Sequence, residues 1–473
     1  MKKYDLIVMG GGAGGLTVAA GAASLGGKVA LIEKNDQLGG DCLHYGCVPS
    51  KTLIEAANRV HEARSLKNLG LQTSGAVDMK AVMGLVRESI SHIQKHDDAD
   101  RFRKLGVDVY FGQGSFHSPH EVRVKDEMIY GKKIVVATGS RPSVPEVEGL
   151  EECGFLTNES IFGLRELPQR LAVIGGGPVG LELAQAMSRL GSETTVIDRS
   201  PALFGKEDKE VSQSISQILE KELTILTEAS VEKVEMRGGK KTLFVNREGV
   251  LSEFPVDEIL VAAGRVPNTG SLGLEKAGVQ TDERGYIIVN NRLESNVPHI
   301  YAIGDVNGAF PFTHVAGMEG KLVVQNALLG LRRKVSYDNV PWVIYTSPEV
   351  FHLGMTEEEA RDQAKVIRVF RVPLSNVDRF VTDHRTDGFV KVITDKKGII
   401  LGAHAVGGHA GDFMQEITAA KQFNKKIGAL SNVVHPYPSH SAAVGQTADL
   451  YWRETLFEGR VQKMLEKYVK WKS

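Results

Sequence analysis

One short pattern, written twice, restricts the possible folds of this chain more than anything else in it. Residues 6–9 form an apolar run that ends in Gly10-x-Gly12-x-x-Gly15, and an alanine-rich stretch, 16–25, follows. That order predicts a buried parallel strand, a tight turn and a helix. The first glycine permits the turn, the second lets backbone approach a pyrophosphate, and the third allows close helix packing. The helix N-terminus then offers free N–H groups and the positive end of its dipole to an anion. A further strand, 29–32, leads into Glu33, whose carboxylate is suited to accept ribose hydroxyl hydrogens.

The second copy reads Leu171-Ala172-Val173-Ile174-Gly175-x-Gly177-x-x-Gly180, with a helix expected from Leu181 and a strand ending at Asp198. First glycine and acid are 23 positions apart in both copies. A lone pattern of this kind is often only a glycine-rich turn; two with matching offsets predict two dinucleotide sites. Asp198 would bond the ribose hydroxyls of NAD and repel a 2′-phosphate, whereas Arg199 would attract one, and the position of the acid favours NADH.

The chain's 473 residues exceed what one core holds and suggest about three domains. Its net charge of −1 provides no global field for nucleic acid or an anionic membrane. No apolar stretch approaches the ~20 residues that span a bilayer. The start runs directly into a strand and glycines, with no signal-peptide core, so a cytoplasmic location is expected. Cysteine is scarce, three in all, yet Cys42 and Cys47 lie together in the run 39–51, Gly39-Gly40-Asp41-Cys42-x4-Cys47-x-Pro49-Ser50-Lys51. Beside a redox cofactor and in a reducing compartment, such a dithiol is expected to cycle and not to brace the fold. Attack requires thiolate, so the surroundings must lower a thiol pKa from about 8.5.

This run resembles the active-site segment of the class I pyridine nucleotide-disulfide oxidoreductases, the family of dihydrolipoamide dehydrogenase, glutathione reductase and mercuric reductase. The resemblance extends through both glycine patterns to a C-terminal His-Pro segment. It implies an α/β protein with two Rossmann-like dinucleotide-binding domains and an α+β C-terminal dimerisation domain. The expected boundaries are 1–150 and 271–340 for the two parts of the FAD domain, 151–270 for the NAD(P) domain and 341–473 for the interface. By resemblance the first glycine pattern holds FAD and the second the nicotinamide nucleotide. Ala137-Thr138-Gly139 resembles the family's crossover segment, Gly304-Asp305 its second FAD motif, and Gly114 a loop near the adenosine. Gly14, Lys34, Gly40, Asp41, Lys51, Gly264 and Arg265 complete the expected cofactor-binding positions.

The resemblance makes Cys47 the thiol that contacts the flavin and Cys42 the one that exchanges with substrate. Lys51 would stabilise negative charge on reduced flavin and pair with Glu182 on the second Rossmann helix. His435, in His435-Pro436-Tyr437-Pro438-Ser439-His440, is the expected acid–base group, serving the neighbouring subunit of a homodimer. Where the family segment ends in glutamate this chain has His440. An imidazole cannot raise its neighbour's pKa as a carboxylate does, so His435 is expected to be a weaker base unless another carboxylate folds into that place. Cys153 is read as a bystander. His404 and His409 form no convincing ligand set, and no metal is expected.

The expected activity is FAD-dependent electron transfer between NAD(P)H, the cysteine pair and a thiol or disulfide substrate. Alternatives are a flavin-dependent reductase of quinone, metal or oxygen, and a low-turnover redox-responsive binding protein. Mercuric ion is disfavoured as the main substrate because no cysteine follows Cys153. Near the C-terminus Val461, Met464, Leu465, Tyr468 and Trp471 recur at helical spacing beside Arg460, Lys463, Lys467, Lys470 and Lys472. This basic amphipathic stretch, 460–473, reads either as a helix packed on its own protein or as a contact for a membrane surface or another protein.

Overall fold

The computed structural model describes residues 1–363 and 366–472. They divide into two compact units, one made of Met1–Ile197 and Ala229–Ser336, the other of Asp198–Glu228 and the chain from Tyr337 onward.

In the first unit the strands Val107–Phe111, Val29–Glu33, Lys2–Met9 and Glu127–Val136 pair in parallel in that order. Ile300–Ala302 returns to pair in parallel with Glu127–Val136, Ile300 facing Ile134. Leu6, Ile7 and Val8 are fully buried, as are Val29, Ala30 and Leu31. A strand covered on both faces needs a continuous apolar run, which is how these segments read in the sequence. The second dinucleotide motif has the same core: Arg170–Ile174 lies between Glu193–Ile197 and Glu258–Val261, all parallel. Both helices begin earlier than expected, at Ala13–Ser24 and Pro178–Leu190, because the middle glycines, Gly12 and Gly177, are themselves the caps. Pro178 occupies the first helical turn, where its missing N–H costs nothing.

In the second unit an antiparallel sheet runs Pro341–Ile344, Glu349–Gly354, Ile400–Gly407, Phe389–Asp395, Ile367–Pro373. Phe351, Leu353, Phe370, Phe380 and Met414 fill its core, closed by Ala443, Val444 and Ala448 of the helix Ala442–Leu456. The helix Lys209–Leu219 of the segment Asp198–Glu228 belongs to this unit, capped by the Asp208 carboxylate, which accepts from Glu210 N. The C-terminal stretch forms the helix Gly459–Lys472, and its apolar residues Val461, Met464, Leu465, Tyr468 and Trp471 are all exposed. Ser473 and the side chain of Arg460 lie outside the described residues. No described helix is long and apolar enough to cross a membrane.

Candidate active site

The two phosphate-binding turns are built by the same collisions. A Cβ on Gly10, at φ +111°, would sit 2.3 Å from Ala137 O, and one on Gly175, at φ +116°, 2.4 Å from Ala262 O. A Cβ on Gly15 would come within 1.8 Å of Gly10 O, and one on Gly180 within 2.0 Å of Gly175 O. Each helix therefore packs on its turn with no room for a side chain. At the middle glycines there is room: a Cβ on Gly177 meets nothing within 4 Å, and one on Gly12 only Gly40 Cα at 3.8 Å. Both turns thus leave a lining of bare backbone that a pyrophosphate can approach. Gly14 packs on Ile303 and Ala316 behind the first turn.

Glu33, nearly buried, accepts from Gly11 N at 2.7 Å through one oxygen and from Asn35 N at 2.9 Å through the other. Each carboxylate oxygen has a second lone pair for a ribose hydroxyl. Lys34 beside it is exposed. Gly114 packs against Ile32 and Met9 at the base of the same sheet. Thr138 and Asn268 exchange hydrogen bonds, Thr138 Oγ1 donating to Asn268 O and Asn268 Nδ2 to Thr138 O, both at 3.0 Å, and Asn268 N donates to Gly139 O. Arg265, just after Gly264, gathers distant positions: its Nη2 lies 3.3 Å from Asp41, its Nε 3.6 Å from Asp305 and 2.6 Å from Ser140 Oγ. Ser140 in turn donates to Asp305 at 2.5 Å. Gly304 N donates to the fully buried Glu319 at 2.6 Å, which pins the Gly304-Asp305 turn to the helix Thr313–Leu329.

The dithiol segment is fastened to the first phosphate turn. Gly39 N donates to Gly11 O at 2.8 Å, and a Cβ on Gly40, at φ +61°, would lie 2.7 Å from Gly12 Cα. Cys47 is the first residue of the helix Cys47–Ser65, a position where the helix dipole favours thiolate. Both thiols are free. They share one hydrogen bond, which lowers Cys47 to about 6 and raises Cys42 well above the ordinary thiol range. Burial opposes ionisation of both; Thr313, its Oγ1 3.2 Å from Cys47 Sγ, and the charge of Lys51 favour the Cys47 thiolate. One turn along the same helix Lys51 Nζ donates to Glu182 Oε2 at 2.8 Å, so the expected link between the two dinucleotide motifs is formed. A groove of about 550 Å³ runs from Cys47 past Lys51, Glu55 and Arg59 to Glu88 and Ile93.

In the second unit the structure supplies the alternative left open for the His-Pro segment. His435 does have a carboxylate: its Nε2 lies 2.8 Å from Glu416 Oε2, on the helix Gln415–Gln422. Because a carboxylate only accepts, Nε2 carries the proton and Nδ1 is left to take or give one. His440 is turned away to Asp383, its Nε2 2.8 Å from Oδ2, so it is not a second imidazole pressed on His435. The carboxylate beside His435 thus comes from Glu416, 19 positions upstream, and not from position 440. Asp198 Oδ1 accepts from Ser200 N at 2.7 Å, and Arg199 is exposed. Thr313, Glu319 and Glu416 were missed in the sequence, since none stands in a recognisable local pattern.

The model of the pyridine nucleotide-disulphide oxidoreductase family matches residues 4–320, and that of its dimerisation domain residues 340–448. The chain belongs to this family. It is 35% identical to a mercuric reductase of Lysinibacillus sphaericus over 92% of this chain and 80% of that one. It is 36% identical to a dihydrolipoyl dehydrogenase of Thermus scotoductus, covering 96% of this chain and 99% of the other. Among solved structures it resembles the copper(II) complex of the HOCl-induced flavoprotein disulfide reductase RclA from Escherichia coli, with a TM-score of 0.86 at 28% identity, covering 95% and 100% of the two chains. This oxidoreductase is accordingly an FAD-dependent, NAD(P)H-using enzyme of the disulfide reductase type. Its bare-backbone turns and Glu33 fit the nucleotides, and its dimerisation domain supports a homodimer.

Proposed function

We propose that the enzyme reduces a disulfide at the expense of NADH, and that Cys42 and Cys47 are the point where electrons leave the protein. In balance, NADH, one proton and R–S–S–R give NAD⁺ and two thiols. The observation that carries this reading is the unequal thiol pair at the head of the helix Cys47–Ser65, with Cys47 lowered and Cys42 raised. Bound FAD would supply two-electron chemistry, accepting hydride equivalents from the nicotinamide and delivering an electron pair to the sulfur couple. The first glycine turn, Glu33 and Asp305 hold the flavin nucleotide; Gly175, Gly177, Gly180 and Asp198 hold the nicotinamide nucleotide. Cys47 keeps its negative charge on the flavin side through Thr313 and Lys51. Cys42 keeps its proton until a base removes it, then attacks one substrate sulfur and releases the other as a thiol; the Cys47 thiolate then attacks Cys42 in the mixed disulfide, which releases the second thiol and re-forms the Cys42–Cys47 bond. His435 of the partner subunit is that base, holding the proton on Nδ1 while Glu416 orients the ring and stabilises the imidazolium.

A second reading, reduction of a metal ion, is favoured by the mercuric reductase relatives and by the copper(II) complex of RclA. The exposed apolar face of 460–473 is read as a contact surface; removing it and comparing membrane sedimentation with dimer content separates a lipid role from a protein one. Anaerobic titration with NADH and NADPH, following the thiolate-to-flavin absorbance, tests the main reading. The reduced enzyme then meets lipoamide, glutathione disulfide, quinone, copper(II) and mercuric ion in turn. Rapid reoxidation by a disulfide is the expected result. Reoxidation by metal or quinone alone moves the assignment to the second reading, and reduction with no acceptor at all leaves only a redox-responsive binding protein.

A further inference from the structure

The second unit contains a buried group of nitrogen and oxygen donors brought together from three segments. His352 and His404 face each other across the neighbouring strands Glu349–Gly354 and Ile400–Gly407, and Glu207 comes in from the segment Asp198–Glu228. One donor atom from each lies within 4.8 Å of the other two, and all three residues are buried.

The hydrogen bonds fix which ring atoms are available. His352 Nε2 lies 2.8 Å from Gly354 O, and His404 Nε2 lies 2.9 Å from Met355 O. A carbonyl only accepts, so each Nε2 carries a proton and each Nδ1 is the atom left for a further partner. His352 Nδ1 stands 2.8 Å from Glu207 Oε2, and the other Glu207 oxygen accepts from Trp342 Nε1 at 2.7 Å. The Trp342 ring stacks on His352 with centroids 3.5 Å apart, holding its plane. This is the arrangement of ligating histidines, oriented by a backbone carbonyl on the far nitrogen, beside a carboxylate held by its own donor.

Two lone-pair-bearing atoms at 2.8 Å need positive charge between them. A proton on His352 Nδ1 supplies it there, yet leaves His404 Nδ1 buried with no hydrogen-bond partner. A divalent cation satisfies all three donors together. The surroundings accept the charge: Asp208 and Glu357 share the buried cation Lys391, at 2.9 and 2.6 Å.

We propose that Glu207, His352 and His404 form a structural site for a borderline divalent cation of the zinc class, sharing no residue with the redox centre and tying the segment Asp198–Glu228 to the sheet. Two histidines and one glutamate are a recognised zinc donor set, normally completed by a further ligand. These donors are scattered along the chain and lack the short spacings of zinc motifs, so the sequence does not announce them.

The test uses full-length holoenzyme kept oxidised, so that Cys42 and Cys47 are bonded to each other and do not ligate. The protein is equilibrated with Zn²⁺, desalted, and assayed for bound metal by mass spectrometry, with Co²⁺ ligand-field absorption as a second readout. One equivalent in the wild type is expected, with loss in both His404→Gln and His352→Gln. Glutamine retains a donor for the backbone carbonyl and removes the Nδ1 ligand. Trp342→Phe, which removes only the hydrogen bond to Glu207, is expected to weaken binding about 10- to 100-fold. Zn²⁺ should raise the melting temperature of the wild type and not of the glutamine variants. The absence of retained metal in the wild type, or equal retention by whichever glutamine variant folds, would overturn the proposal.

Discussion

After the hydrogen bond from Cys42, Thr313 adds to what keeps Cys47 ionised as the solution becomes acidic. Thiolate exists above its pKa, so the charge-transfer absorbance of reduced holoenzyme should persist down to about pH 6 and fade below it. Thr313→Val removes one donor to that charge and should move the midpoint upward by about one pH unit, read by titrating the long-wavelength band. An unmoved midpoint would mean that the 3.2 Å contact does not stabilise the thiolate. Glu416→Gln keeps the shape and removes the charge opposite His435, and should lower disulfide turnover about 10- to 100-fold while flavin reduction by NADH continues. His440→Glu should leave the turnover and its pH profile nearly unchanged, because His435 already has a carboxylate and a glutamate at 440 would instead face Asp383. A large gain in rate from His440→Glu would restore the weak-base reading. These residues also mark what the sequence could disclose. Cys42, Cys47 and Lys51 stand within ten residues of one another, in a run whose spacing is itself the signal, and Glu182 has its own glycine pattern as an address. Glu416 and Thr313 reach their partners only through tertiary folding, and nothing near them in the chain announces it.

Among the elements, the two glycine turns share a shape but allow different experiments. Gly180→Ala places a methyl 2.0 Å from Gly175 O and should destabilise the turn by about 1–3 kcal/mol, seen as a lower melting temperature. Gly177→Ala meets no protein atom within 4 Å, so it should fold and stay yellow. Its methyl occupies the path of the pyrophosphate, and the KM for NADH should rise roughly tenfold, or about 1.4 kcal/mol. An unchanged KM with normal folding would remove this turn from the nicotinamide site. Strand and turn order was plain from the apolar runs and glycines, because buried parallel strands leave little choice of residue. Helix starts were less plain: Gly12 and Gly177 cap their helices, and a glycine inside the first turn disguised where each began. The grouping of Asp198–Glu228 with the C-terminal sheet has no local sign at all, since it depends on Asp208 meeting Lys391, 183 positions away.

For the whole molecule, the C-terminal helix and the His-Pro segment present different kinds of exposed surface. Val434 and Tyr437 are 94% and 81% exposed beside His435, the apolar flank expected of a surface that a second copy covers. Tyr437→Lys should therefore lower the dimer fraction in analytical ultracentrifugation and disulfide turnover together, whereas deletion of 460–473 should leave flavin content and turnover intact. Loss of turnover on that deletion would place the tail inside the catalytic assembly. The attachment of Gly39 and Gly40 to Gly11 and Gly12 has a wider consequence. The sulfurs and the nucleotide anchor form one stiff block, so a descendant enzyme cannot change its oxidant by relocating the thiols without also loosening its prosthetic group. Divergence in what the enzyme reduces is left to the outer wall of the groove, which Glu55, Arg59 and Glu88 line.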